Sequence, residues 1–277
     1  MGRTRYIGDS PFDGDARDND PRFVSALAKG LLVLQAFTPK DQWLAHRELV
    51  IRTGLPASTV SRLAFTLHQL GFLRHEQSQG AYSLAPPVLA LGFSVLGRSD
   101  VVHIARPFMQ ELAHKCEATV SLGVRHGLEV IYVGHCRGTD RLYLGLDIGS
   151  RLPIDKTAMG RSIVYSLEER EQLGITAALL AKGASCDSLK IDSVNSQIEE
   201  FGYVLSESEW EPGISAAAAP LDLRDGVNVY GMSVGGLSTR LTPEFLRNVA
   251  GPALAKTCSE LLQVIHEAKW ADRNELL

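Results

Sequence analysis

Between Gly54 and Gly71 the chain places Val60, Leu63, Ala64, Leu67 and Leu70 at spacings of three and four residues. That is the pattern of one helix with a single buried stripe. The opposite face must then carry Ser58, Thr59, Ser61, Arg62, Thr66, His68 and Gln69, all polar. Upstream, Phe23, Val24, Leu27, Leu31, Leu32, Leu34 and Phe37 repeat with helical period until Thr38-Pro39-Lys40-Asp41 interrupts them. A short helix fits Ala45–Thr53, with Gly54 placed as a C-cap and Pro56 suited to the next helix's first turn. Downstream, Phe72–His75 and Ala81–Leu84 predict two strands around the polar turn Glu76–Gly80. Helix, short helix, tight turn, polar-faced helix and hairpin make a winged helix-turn-helix over residues 22–85. Short donors and acceptors on the third helix suit phosphates and base edges in a major groove. Arg74, His75 and Gln79 at the hairpin rim suit backbone or minor-groove contacts.

A formal net charge of −4 does not favour nucleic acid, but its distribution does. Residues 22–98 hold eight basic and three acidic groups, a balance of +5, whereas residues 1–20 carry −2 and the rest −7. A basic block beside an acidic remainder fits a polyanion-binding module, and with the winged helix-turn-helix the expected partner is double-stranded promoter DNA. Residues 1–21 place an acidic Gly/Asp/Asn stretch behind Arg3 and Arg5, the wrong order for a signal peptide, and are expected to be a disordered arm. No run of about 18 apolar residues predicts a membrane span. Cys116, Cys136, Cys186 and Cys258 stand without a C-x-x-C pair, the usage of a reducing, cytoplasmic setting.

Pro86-Pro87 opens an apolar helix over residues 86–98 that is too hydrophobic to stand alone, so self-association across a two-fold axis is expected. Residues 99–272 read as a second domain. A helix over Val101–Glu117 precedes strands over Val120–Arg125, Glu129–Cys136 and Leu142–Ile148. Helices over Thr157–Ser166 and Ile191–Phe201 follow, then strands Ala216–Leu223 and Val229–Val234 about the turn Arg224-Asp225-Gly226. A helix from Pro243 to about Lys269 closes the chain. This order predicts an α+β fold with an antiparallel sheet flanked by helices, not a doubly wound sheet.

Ser25–Leu31, Arg52–Leu63 and Leu70-Gly71-Phe72-Leu73 resemble the DNA-binding domain of the IclR-type regulators. The resemblance spans about nine-tenths of the chain. It continues through Gly149-Ser150-Arg151-Leu152-Pro153, Thr157-Ala158-Met159-Gly160-Arg161, Glu211–Pro220, Ser233-Val234-Gly235-Gly236 and Arg240-Leu241-Thr242-Pro243. It implies a GAF-like C-terminal domain that binds a small organic acid, and a homodimer or dimer of dimers joined partly by the linker helix. Carried onto matching positions, the pocket is lined by Leu144, Leu152, Ala158, Met159, Ser206, Ile214, Ala216, Ser233 and Gly235. Backbone N–H groups opening the helix at Ala158 and Met159 would receive the carboxylate. Ser206 and Ser233 would orient it, and Leu144, Leu152 and Ile214 would enclose its apolar part. Ser206-Glu207-Ser208-Glu209 stands where many relatives have an acidic pair. Small Ala216 and Gly235 stand where some carry Cys and Ser, and they leave room for an aromatic or bulkier acid. The opening Arg22–Leu27 resembles the subgroup that controls aromatic-acid degradation.

Other chemistry finds little footing. His103, His114, His126 and His135 fall on different elements, and His135 and Cys136, as strand neighbours, point to opposite faces, so no metal is expected. No G-x-S-x-G elbow, P-loop or post-strand G-x-G-x-x-G occurs, so no cofactor is expected. Glu168, Glu169 and Glu171 read as a solvated helix start. The alternative from another class is an enzyme acting on a small acid or ester, with an accessory DNA-binding module.

Overall fold

The computed structural model describes residues 20–96, 100–138, 145–223 and 229–275, and the chain divides into two compact units, Met1–Arg98 and Ser99–Leu277. Most of the arm expected over residues 1–21, the turn at Arg224-Asp225-Gly226 and the first part of the expected Leu142–Ile148 strand lie outside the described residues.

The N-terminal unit runs α1 (Ser25–Gln35), β1 (Leu44–Ala45), α2 (His46–Thr53), α3 (Ala57–Gln69), β2 (Leu73–Glu76), β3 (Ala81–Leu84) and α4 (Pro86–Leu96). Gly54 ends α2 at φ 68° and donates its N–H to the Val50 carbonyl at 3.0 Å. A side chain there would be strained, so the turn between α2 and α3 depends on glycine. Pro56 is the N-cap of α3 and not part of its first turn. Its ψ of 141° is extended, and its carbonyl accepts from Thr59 and Val60. The core joins Val33, Ala36, Leu49, Val60, Ala64, Leu73 and Tyr82. Leu70 is a correction to the expected stripe. It caps α3 just before Gly71 turns the chain at φ 77°, and it stands exposed. The wing is a three-stranded sheet in the order β1-β3-β2, with Leu44 opposite Tyr82. Two-residue β1 is too short to show any alternation in sequence.

Arg52 locks α2 to the chain after α1. Its guanidinium donates to both Asp41 carboxylate oxygens at 2.5 and 2.9 Å and to the Ala36 carbonyl at 3.0 Å, while the Thr38 N–H and hydroxyl also donate to Asp41. Burial alone would raise the Asp41 carboxyl, but the bonds from Arg52 and Thr38 outweigh it and hold it at about 2. A carboxylate depressed from 3.8 stabilises the fold fully above pH 3.8 and loses that contribution as pH falls towards 2. Asp41→Asn should therefore lower stability by about 2 kcal/mol at pH 7. Urea denaturation at stepped pH checks that the penalty narrows below pH 4. Glu48 also faces Arg52 at 3.5 Å, so two of this block's three acidic groups are engaged there. Among the described residues, exposed Lys40, Arg47, Arg62 and Arg74 remain with no ion pair, and Glu76 is the one acid of the block away from Arg52.

The second unit runs α5 (Asp100–Cys116), β4 (Thr119–His126), β5 (Glu129–Arg137), β6 (Arg151–Pro153), α6 (Ala158–Tyr165), α7 (Glu169–Ala181), α8 (Ile191–Phe201), β7 (Val204–Glu207), β8 (Ile214–Asp222) and β9 (Val229–Leu237). After α9 (Pro243–Phe245) come a π-helical turn (Leu246–Ala250) and α10 (Gly251–Glu275). One antiparallel sheet has the order β6-β5-β4-β9-β8-β7. Alternation divides it. Val120, Leu122, Ala217, Ala219, Met232 and Val234 pack with α5 and α10, whereas Val130, Tyr132, Val204 and Ala218 pack with α6, α7 and α8. Of the expected Leu142–Ile148 strand, residues 145–148 form no strand, and pairing falls instead to β6 opposite Glu129–Ile131. Strand β7 has no counterpart among the strands expected from the sequence. The acidic start read at Glu168 does open a helix, α7, but Leu173 and Leu180 are exposed, so its apolar residues form no single stripe. No helix among the described residues is long and apolar enough to cross a membrane.

Candidate functional site

The polar face of α3 is a solvent face. Ser58, Ser61, Arg62, Thr66 and Gln69 are exposed, and Thr59 is half-buried. Among the described residues the Arg62 guanidinium has no hydrogen-bond or ion-pair partner. Its carbonyl accepts from the Thr66 hydroxyl at 3.0 Å. Arg74 is exposed on the wing. His68 is a correction to the reading set, because its ring turns inward. Its Nδ1 lies 3.0 Å from the Leu73 carbonyl, and the ring sits edge-on to His75 at 5.9 Å. His75 in turn stacks on Tyr82 at 4.4 Å and 12°. These rings fasten the wing to α3 and leave His75 half-buried. Phe65 escapes the sequence pattern: it stands on the exposed face of α3 with 62% of its surface in solvent. A scan for apolar spacing ignores a residue that falls off the stripe.

In the second unit a cavity of about 60 Å³ lies between the sheet and the start of α6. That is several times the ~10–15 Å³ a single buried water needs. Two adjacent cross-strand rows form its floor. One runs Thr119, Gly235, Ala216, Ser206 across β4, β9, β8 and β7, and the other begins His135, Ser121, Ser233 across β5, β4 and β9. Leu152, Ile214, Thr157, Ala158, Met159, Leu146 and Trp210 complete the walls. Eight of the nine residues expected at the pocket thus border one cavity: Leu152, Ala158, Met159, Ser206, Ile214, Ala216, Ser233 and Gly235. Leu144 lies outside the described residues.

Glycines set how closely α6 approaches the sheet. A Cβ on Gly123 would stand 2.5 Å from Met159 Sδ and 2.6 Å from Val130 Cγ1, and one on Gly231 would stand 2.8 Å from Met159 Cγ. Gly235 differs, since a Cβ there would meet Ala216 Cβ at 3.6 Å and the Ser215 carbonyl oxygen at 3.9 Å, ordinary van der Waals contacts with no clash. At the start of α6 the Thr157 side chain caps the Gly160 N–H at 3.1 Å. The Ala158 and Met159 N–H groups are left without a protein partner among the described residues, beside the cavity. Ser206 and Ser233 are each 5% exposed. Ser121 Oγ lies 3.2 Å from His135 Nδ1. Burial pushes the Tyr132 phenol up, and the nearby Ser233 and Ser121 hydroxyls partly offset it. Burial pushes the His135 imidazole down, against the pull of Asp147. A neutral, hydroxyl-rich wall therefore faces a helix N-terminus.

Thr119, Ser121, Tyr132, His135 and Trp210 join the cavity without having been expected there. The signal for two of them is present in the sequence, because Thr119 and Ser121 alternate with the apolar Val120 and Leu122. Tyr132 is hidden by a register shift between Leu122 and Gly123. Beside Trp210, Glu209 pairs with Arg161 at 2.5 Å and Lys190 at 2.9 Å, which ties its loop to the cavity-lining helix.

Residues 26–77 match the IclR helix-turn-helix domain, and residues 93–261 match the C-terminal domain of bacterial IclR transcriptional regulators. The chain belongs to the IclR family of transcriptional regulators. It is similar to the HTH-type transcriptional regulator TsaQ1/TsaQ2 of Comamonas testosteroni, 30% identical over 252 residues that cover 89% of this chain and 90% of that protein. It is similar also to the HTH-type transcriptional regulator KipR of Bacillus subtilis, 34% identical over 225 residues covering 79% and 89%. A crystal structure of an IclR family transcriptional regulator from Brucella abortus shares the fold, with a TM-score of 0.79 and 32% identity over 92% of this chain and 98% of that one. As an IclR-family member the chain is a regulator and not an enzyme.

Proposed function

We propose that this IclR-family regulator binds a promoter site through α3 of two copies, and that a small organic acid, aromatic in class, occupies the C-terminal cavity and alters that binding. The observation that carries the reading is the cavity itself. Packed interiors rarely leave such a space lined with polar groups that lack partners. Here the Ala158 and Met159 N–H groups and the Ser206 hydroxyl, which faces the cavity, have none among the described residues. A carboxylate would satisfy the N–H groups with help from the helix dipole, while Leu152, Ile214 and Trp210 supply apolar walls for a ring. Small Ala216 and Gly235 leave room for that ring. The acid acts on DNA binding only if it favours one arrangement of the two DNA-binding units, and the coupling is then reciprocal. For the pairing of copies, the support is α4, whose Leu89, Leu91 and Phe93 are all largely exposed. Such a surface calls for a second chain, as a homodimer or a dimer of dimers acting in the cytoplasm.

Ser233→Leu tests the pocket by filling it from the floor. An acid present at a hundred times its Kd should stabilise the wild type by about 2.7 kcal/mol in a thermal-shift screen of aromatic and aliphatic acids. The variant should lose that stabilisation and its effector response while retaining basal DNA binding. Calorimetric titrations that match in the two proteins would show that the pocket lies elsewhere.

A further inference from the structure

We infer that Phe65 reads the 5-methyl group of a thymine in the operator's major groove; the inference rests on the proposed DNA-reading role of α3. Phe65 belongs to no core cluster of its unit and is 62% exposed, on a helix whose buried side is Val60 and Ala64. At about 100° per residue it lies roughly 140° round from Val60, between Ser61 at about 100° and Ser58 at about 160°, with Gln69 at about 180° and Arg62 at about 200°. It therefore stands inside the polar arc and not at its edge.

A ring in that place cannot exchange hydrogen bonds with base edges or phosphates. The major groove offers one apolar group on its floor, the thymine methyl. The flanking Ser58 and Ser61 are short, so they let the helix come close enough for the ring to reach the bases. Arg62 on the far side of Gln69 can hold the backbone without competing for the same base. Solvent exposure of the ring costs the free protein apolar hydration, and contact with a methyl group recovers part of it.

The test has two stages. Wild-type protein selects its preferred duplex from a random pool. Each thymine of that duplex is then replaced by uracil, which removes the methyl and keeps every hydrogen bond, and binding is measured by fluorescence anisotropy. In the wild type one position per half-site should lose affinity by roughly fourfold, the value of one buried methyl-sized group. Phe65→Ala should bind thymine and uracil duplexes equally there, with its salt dependence unchanged, and Phe65→Leu should retain part of the penalty. A wild type indifferent to uracil at every position overturns the inference, as does a Phe65→Ala protein with the wild-type penalties. An altered oligomeric state in Phe65→Ala would overturn it too, by assigning the ring to a contact between copies. Failure of the wild type to select any sequence would overturn the DNA-reading proposal as well, so the two failures are distinguishable.

Discussion

Gly160→Ala should destabilise the C-terminal unit by about 3 kcal/mol, at the upper end of overpacking costs, and lower its melting temperature by roughly 6–12 °C. Helix propensity alone argues the other way, since alanine is favoured over glycine inside a helix by about 1 kcal/mol. Packing reverses the sign. A Cβ at Gly160 would fall on the Ile154 carbonyl oxygen and stand 2.6 Å from that residue's carbonyl carbon and Cα. All three are backbone atoms, which cannot rotate aside as a side chain can. Ile154 itself is fully buried, and its N–H is held by the Leu128 carbonyl at 3.1 Å. Relief must therefore come from moving α6, which carries Ala158 and Met159 along the cavity wall. Differential scanning calorimetry would read the loss of stability, and an acid titration would read the displaced helix start. A variant as stable as the wild type would show that α6 can shift freely.

Arg62→Ala should weaken operator binding by roughly tenfold or more and lower the slope of log affinity against log salt by about one, as expected for one lost phosphate contact. The fold should hardly notice, within about 0.5 kcal/mol, because the side chain is exposed and partners nothing within the described unit. Arg52→Ala gives the contrasting result. Both arginines lie in the basic N-terminal block, but Arg52 is held by Asp41 and the Ala36 carbonyl, so its loss should lower stability and leave the salt slope alone. Gel-shift series from low to physiological salt, paired with urea denaturation, separate the two. An unchanged salt slope in Arg62→Ala would remove α3 as the DNA-reading element.

Helix α3 is legible in the sequence because its information is local. Val60, Leu63, Ala64 and Leu67 recur with the helix's own period, and Gly54 and Gly71 mark its limits through positive φ. Its details are less so. His68 has the same polarity as its neighbours in sequence, yet the wing strand beside it offers the Leu73 carbonyl and turns the ring inward. Phe65 and Leu70 depart in the reverse sense, as apolar residues left in water by the outer arc and the end of the helix.

The cavity shows the same division more sharply. Local pattern placed strands near β4, β5, β8 and β9, and resemblance supplied eight residues that border the cavity. The rows His135–Ser121–Ser233 and Thr119–Gly235–Ala216–Ser206 exist only once three or four strands are aligned in register. A one-residue shift of register sends every side chain to the other face, and nothing within a single strand states its partner. Sequence by itself therefore determined the three helices and the hairpin of the N-terminal unit, where the glycines must bend the chain, and most of the polar face of α3. Tertiary structure alone decided which basic groups stay unpaired, which histidine turns inward and which hydroxyls share one cavity, because those depend on contacts between residues far apart in the chain.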